Sequence, residues 1–330
     1  MKDDAVAPVI AVMLILAVAA TAVAIFNGVY IPSLKEESET VHLHNVESSF
    51  QHFSSDIERA VAEGANGVTV SEPVQLGGGD VFLNPLRSGG SLLIMDEDKP
   101  VCTVSLYDSS GVLIGEMNST LVNISYEPSG NFWQDQGYRW QEGYLNITKY
   151  DGKRQGPLGY ANMIDVSNNL NGTGTLAAFA GSFGSAEYTI NRTLYQNVTP
   201  TANNRFTFSS PDDTCSRIVL RAVNLTTAPG HSFAGGNGFG KLVLESSVTP
   251  VEYHDIIAIT IRSSMNPFGN ATFRNWNESF TAMTGDCRNN IGYVADPLFS
   301  GEGFSMFAVR QQVSPVNVTL RVVTIKAGAY

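Results

Sequence analysis

Charged side chains are scarce in this sequence. Asp, Glu, Lys and Arg make up 15% of the 330 residues, against about 25% in a typical soluble domain. Basic residues are the scarcer sign, 20 against 31 acidic, for a formal net charge of −11. Contact with a nucleic-acid backbone needs clustered Lys and Arg, so no nucleic-acid partner is expected. Cysteine is rarer still. Cys102, Cys215 and Cys287 are the whole complement, and neither a CxxC nor a Cys/His spacing is present to hold zinc. An exterior compartment would allow one disulfide. The expected pair is Cys215–Cys287, because both lie in polar, turn-like contexts. There is no repeat of fixed period and no low-complexity linker.

One stretch lacks charge and glycine altogether. Ala5 to Phe26 reads AVAPVIAVMLILAVAATAVAIF, with Thr21 its one polar side chain. As a helix it spans about 33 Å, which matches a hydrocarbon core of about 30 Å. A helix closes its own backbone hydrogen bonds, so such a segment can cross lipid unaided. The run is longer than a secretory signal's apolar region, and Asn27 to Pro32 offers no A-x-A exit. On geometry alone this is an uncleaved anchor. Pro8 falls in the first turn, where its missing N–H does no harm. Lys2 before the run and Lys35 after it do little to set orientation.

The residues Asp3-Asp4-Ala5-Val6-Ala7-Pro8-Val9-Ile10-Ala11-Val12 resemble the start of archaeal type IV pilins and pilin-like proteins. There a short charged leader precedes an A-V-S-P-V-I-G-V type segment and an unbroken apolar helix. Ala7 and Ala11 stand where that pattern has Ser and Gly, and the leader holds one Lys beside two Asp. The resemblance covers the leader and the apolar run. It implies a prepilin peptidase as partner, cutting at Ala5–Val6 with Asp4–Ala5 as the alternative. It also implies packing of the freed helix against other pilin-like subunits in a filament core.

Past Leu34 the pattern changes. Val46, Phe50, Phe53, Ile57 and Val61 recur at helical steps, which predicts an amphipathic helix over 33–63, ended by Gly64 and Gly67. Pro32 is expected to kink its junction with the apolar helix. Beyond Gly67 the period shortens to two. Strands are expected at Val68–Glu72, Ser91–Met95, Val101–Tyr107, Gly111–Glu116, Thr120–Tyr126 and Tyr138–Tyr150. More follow at Glu187–Leu194, Arg217–Asn224, Lys241–Ser247, Val251–Arg262, Phe304–Arg310 and Val316–Lys326. Phe273, Trp276, Phe280 and Met283 indicate one late helix, with Asn270 as its expected cap. The fold class is therefore α+β: a long hydrophobic helix, an amphipathic helix, and a mainly antiparallel, β-sandwich-like head.

The division is a leader over 1–5, a membrane or filament-core helix over 6–32, a stem over 33–66 and a head over 67–330. Asn162–Gly174 is the candidate internal boundary or long loop. Leu76-Gly77-Gly78-Gly79-Asp80 and the segment from Tyr126 through Asn131-Phe132-Trp133 to Gly143 resemble heads of uncharacterised archaeal pilin-like surface proteins. That likeness implies a location and carries no chemistry.

The strongest distributed signal is N-x-[ST], at Asn118, Asn123, Asn146, Asn171, Asn191, Asn197, Asn224, Asn270, Asn277 and Asn317. With 25 Asn in the chain and Ser plus Thr at about one residue in six, chance gives roughly four such triplets. The excess favours an N-glycosylated head outside the cell over passive accumulation in an Asn-rich chain.

Catalytic signals are weak. Gly235 to Lys241 matches most of a phosphate loop, but Leu242 replaces the Ser or Thr that would hold Mg²⁺, so a hairpin-type glycine turn is expected. Ser182 lacks the first Gly of a nucleophile elbow, and His254-Asp255 has no nucleophile beside it. His42, His44 and His52 read as solvated helix-face residues, while Asp96-Glu97-Asp98 and Asp212-Asp213 lack calcium-loop spacing. Trp133, Tyr138 and Trp140 could line a sugar-binding face, although aromatics on alternating strand positions more often fill a core.

No catalytic, cofactor or metal residue is assigned. The expected function is a pilin-like, membrane-anchored extracellular structural protein, a minor subunit of a surface filament for adhesion or assembly. The alternative is a surface glycoprotein that never polymerises, and an ectoenzyme is a distant third. Expected partners are membrane lipid, other subunits through the N-terminal helix, and surface glycans or envelope proteins.

Overall fold

The computed structural model describes residues 6–78, 88–130, 136–149, 156–191, 198–200, 206–208, 214–294, 303–310 and 316–330. It begins with one uninterrupted helical rod: α1 (Val6–Ile25), a π-helical turn over Phe26–Tyr30, and α2 (Ile31–Glu63). The turn explains how the rod passes Pro32. Proline offers no N–H to the carbonyl four residues back and its ring crowds that carbonyl. Here the Ile31 N–H reaches Phe26 O instead, the wider spacing of a π turn. The expected kink is a bulge within a continuous helix.

α2 carries the predicted stripe inward. Val46, Phe50, Phe53, Ile57 and Val61 are all at most 1% exposed, and burying such side chains is worth about 1.5–3 kcal/mol each. Its far end is closed by Gly64 in the left-handed region (φ 53°), whose N–H bonds Ala60 O at 3.0 Å. The last carbonyls are taken by two arginines. Arg221 donates to Val61 O and Ala62 O, and Arg321 donates to Gly64 O at 3.3 Å. Cations at this end also complement the helix dipole.

Those arginines come from the first of three five-stranded sheets. Its order is β1 (Thr69–Gln75), β13 (Phe239–Tyr253), β17 (Asn317–Ala329), β11 (Thr214–Thr227) and β8 (Gly184–Asn191). The second is β12 (Phe233–Gly236), β2 (Gly89–Asp96), β5 (Val122–Ser129), β6 (Gln136–Gln141) and β7 (Tyr144–Lys149). The third is β15 (Ile291–Tyr293), β16 (Phe304–Val309), β14 (Ile256–Ser263), β3 (Cys102–Asp108) and β4 (Leu113–Ser119). A small pair, β9 (Val198–Pro200) and β10 (Phe206–Phe208), stands apart. Among the described strand pairs, β11–β17 alone is parallel, and it sets Arg221 directly beside Arg321.

Two cores result. One gathers the α2 stripe, the inner faces of the second sheet and part of the first, and α3 (Met163–Asn171) and α4 (Thr175–Gly181). The other lies under the third sheet, against α5 (Pro267–Asp286) and the opposite face of the first sheet. β11 serves both: Ile218, Leu220 and Ala222 enter the second core, whereas Val223 and Leu225 enter the first.

Some elements differ from expectation. Asn162–Gly174, expected as a boundary or long loop, contains α3. Asn162 Oδ1 accepts from the Ile164 and Asp165 N–H groups, and Val166 and Leu170 are buried. Tyr138–Tyr150 is the β6–β7 hairpin, turning at Glu142 (φ 50°) and Gly143 (φ 84°). Val251–Arg262 likewise divides into β13 and β14 at Asp255 (φ 59°). The late helix starts after Asn266, which caps the Gly269 N–H, so Asn270 lies inside it.

Replacing Gly64 by alanine should destabilise the head by about 1–2 kcal/mol. The left-handed backbone disfavours a side chain, and the new Cβ would meet Arg221 Nη2 at 2.8 Å. A lowered urea midpoint with unchanged slope is expected; an unchanged midpoint would contradict the arginine-capped terminus.

Candidate functional site

The largest chemically unusual surface is α1 itself. Every residue from Val9 to Tyr30 is exposed, with Ile15 at 68% and Val18 at 69%. Nothing among the described residues of the head covers them. Folding in water would hide such side chains, so α1 presents an apolar surface that the described head leaves open. It is long and apolar enough to cross a membrane. Its polar groups return to the rod: Thr21 Oγ1 donates to Ala17 O at 2.8 Å and Asn27 Nδ2 to Val23 O at 3.0 Å. That occupies the Thr21 hydroxyl and one of the two Asn27 amide N–H groups within the rod. A shallow groove of about 390 Å³ runs along Leu14, Ala17, Val18, Thr21, Ala22 and Ile25. Small side chains of this kind let helix backbones approach closely.

Ala5 lies outside the described residues, and Val6 is the first residue of α1. Where α2 enters the head the burial is partly polar: Lys35, Glu39 and His42 are buried together with Leu43. His42 is a correction to the solvated reading. Its Nε2 lies 2.9 Å from the Tyr126 hydroxyl, and that hydroxyl donates to Leu76 O at 3.0 Å. The Tyr126 oxygen therefore accepts from Nε2–H, which fixes the tautomer. Burial holds His42 below its ordinary value, opposed by the Gln75 side chain and the Glu39 charge. His44 and His52 are exposed, and His52 Nδ1 approaches Glu72 Oε1 at 3.4 Å.

The aromatic residues of β6 face inward. Tyr138 donates to Glu47 Oε2 at 3.2 Å and Trp140 Nε1 to Ser54 Oγ at 2.9 Å, so both bind α2 and offer no sugar platform. Trp133 and Asp212-Asp213 lie outside the described residues.

Cys215 and Cys287 are joined, with Cα atoms 5.4 Å apart. Their setting is not a pair of turns: Cys215 is in β11, Cys287 caps the C-terminus of α5, and both are fully buried. Cys102 is a buried free thiol, and burial pushes it up to about 12, out of the range of a nucleophile.

The glycine run 235–241 is a corner rather than a hairpin. Gly236 ends β12 in the second sheet, Phe239 begins β13 in the first, and Gly238 O accepts from the Leu76 N–H at 2.8 Å. Ser182 ends α4 and donates to Phe179 O, while His254 Nδ1 sits 3.2 Å from Asn317 Oδ1. The structure brings none of these together. Among the described residues no group of three acidic, His or Cys side chains could hold a metal. Asp96 instead accepts from Thr226 Oγ1 and from the Thr227 N–H and hydroxyl, tying β2 to β11.

Of the sequon asparagines, Asn118, Asn171 and Asn317 are exposed, and Asn123, Asn224, Asn270 and Asn277 are partly buried. Asn146 is 8% exposed. Asn197 and the side chain of Asn191 lie outside the described residues. No family model, curated protein or solved structure matches this chain.

One ionisable group gives a clean pH test. Glu142 accepts from Asn266 Nδ2 at 3.2 Å, and burial, then the charge of Glu97, push its pKa from 4.5 to about 7. The folded state thus holds the proton more tightly than the unfolded one, and stability falls as pH rises from about 4.5 to 7. Glu142→Gln keeps the accepting oxygen, so it should raise the unfolding temperature at pH 8 and leave it unchanged at pH 4. Equal shifts at both pH values would refute the assignment.

Proposed function

We propose that this chain is a pilin-like structural subunit of the cell surface. In this reading α1 enters lipid or a bundle of like helices, and the β-rich head stands outside the cell. The observation that carries it is the exposure of α1 on every side, joined without a break to a helix that is the central element of the head. A helix needed only for the head's own stability would be buried in it. The disulfide and the excess of sequons fit an exterior compartment. The resemblance at Asp3 to Val12 favours removal of the leader by a prepilin peptidase and lateral packing of α1. A surface glycoprotein that stays a single-pass monomer is the second reading, favoured by the bulk of the head, which limits how closely the rods can pack.

N-terminal sequencing of protein from its native cell separates the two readings. A new terminus at Val6 is expected, whereas Met1 would leave the anchored monomer. Ala20→Phe should then reduce assembly on the cell surface without reducing membrane insertion; unaltered assemblies would exclude α1 as a packing core. Glycopeptide mapping should find sugar at exposed Asn118, Asn171 and Asn317 and none at buried Asn146. An unmodified intact mass would remove that support.

A further inference from the structure

The second sheet has a polar pocket on the face turned away from α2. Strand alternation puts Tyr126, Tyr138 and Trp140 into the core, so their neighbours Ser125 and Arg139 point outward. These two are direct cross-strand partners on β5 and β6. Thr148 lies opposite Gly137 on β7 and shares that face. Together with Glu127 they line a half-enclosed cavity of about 260 Å³. Gly137 has no room for a side chain: a Cβ there would lie 2.6 Å from Tyr126 O and 2.8 Å from Thr148 Oγ1. The cavity floor is therefore bare backbone.

Two of its polar atoms have no partner. Ser125 is 4% exposed, and its hydroxyl and Arg139 Nε are both buried without a hydrogen bond among the described residues. Neither Arg139 nor Lys149 has an ion pair among the described residues. In a chain with 31 acidic residues to 20 basic ones, an unpaired guanidinium facing a cavity is conspicuous. A buried donor is normally satisfied within the fold, and one left open has lost water without gaining an acceptor.

We infer that this pocket binds the carboxylate of a single sugar acid. A guanidinium fork matches a carboxylate in two parallel hydrogen bonds. Arg139 is the one cation that strand alternation puts on this face, beside the Glu127 carboxylate, which suits a monoanion better than a phosphate dianion. The Ser125 and Thr148 hydroxyls and the Glu127 carboxylate suit ring hydroxyls. The volume lies just under the roughly 300 Å³ where ligand pockets begin, which favours one ring over a longer glycan. The site lies on the head, so it does not depend on whether α1 enters a bilayer or a filament.

The test uses the full chain in detergent, titrated by calorimetry with D-glucuronate, D-glucose and inorganic phosphate. Saturable binding of glucuronate is expected, with glucose and phosphate at least about tenfold weaker. Arg139→Gln should weaken glucuronate roughly tenfold or more, as loss of a charged hydrogen-bond donor does. It should unfold at the wild-type temperature or above, since no partner is lost. Ser125→Ala and Thr148→Val should each weaken binding several-fold. The proposal is overturned by absent glucuronate binding, by phosphate binding equally well, or by Arg139→Gln binding normally. A lower unfolding temperature for Arg139→Gln would assign the guanidinium a structural role and overturn it too. Should that variant fail to fold, unchanged binding in both Ser125→Ala and Thr148→Val overturns it independently.

Discussion

Val46, Phe50, Phe53, Ile57 and Val61 form one side of a helix that two sheets close upon, and the rest of the head depends on that contact. The second sheet answers them with Tyr126, Tyr138 and Trp140, and the first with Val323 and Ile325. Each aromatic also has a polar tip to satisfy. The helix supplies it, through His42 at the start of the stripe and through Glu47 and Ser54 just off it. α2 is thus both the apolar filler of the first core and the hydrogen-bond partner of the sheet around it. A sheet with that many inward aromatics would leave buried O–H and N–H groups open without it.

The second core hangs on the first through long strands. β11 changes the face it buries between Ala222 and Val223, and β17 does the same between Leu320 and Val323. Arg221 and Arg321 fall before that change, on the side facing the end of α2, which is why the parallel pair can cap the helix. The Cys215–Cys287 bond then ties the start of β11 to the end of α5 across 72 residues of chain, and closing so long a loop restricts the unfolded chain.

Legibility followed periodicity. The amphipathic helix was readable to within two residues because its stripe repeats for about four turns and ends at glycine. His42 was readable too, lying four residues before Val46 on the same stripe, but a histidine suggests water unless its partner is known, and Tyr126 is 84 residues away. Turn signals were missed where one residue carried them. Glu142-Gly143 and His254-Asp255 sit inside apolar alternation, so the β6–β7 hairpin and the crossing from β13 to β14 each read as one long strand. α3 was obscured by its Asn-rich composition, although an Asn cap and two buried side chains suffice to hold it. The pocket at Arg139 was unreadable, because Ser125, Arg139 and Thr148 come together only through sheet register. For Tyr138 and Trp140 the sequence weighed a sugar-binding face against a core and favoured the core, where they lie.

The unbroken rod has a mechanical consequence. From Val9 to Glu63 it is 55 residues long, about 80 Å, and it is pinned at its far end by Arg221 and Arg321. Tension applied between α1 and the head therefore runs along the helix axis, loading the stripe from Val46 to Val61 in shear. Those contacts must slide together instead of peeling singly, so the head is held to its anchor more firmly than any one contact could hold it. The π turn at Phe26–Tyr30 lies on that load path, and there the hydrogen-bond ladder is widened, with the Ile31 N–H reaching Phe26 O.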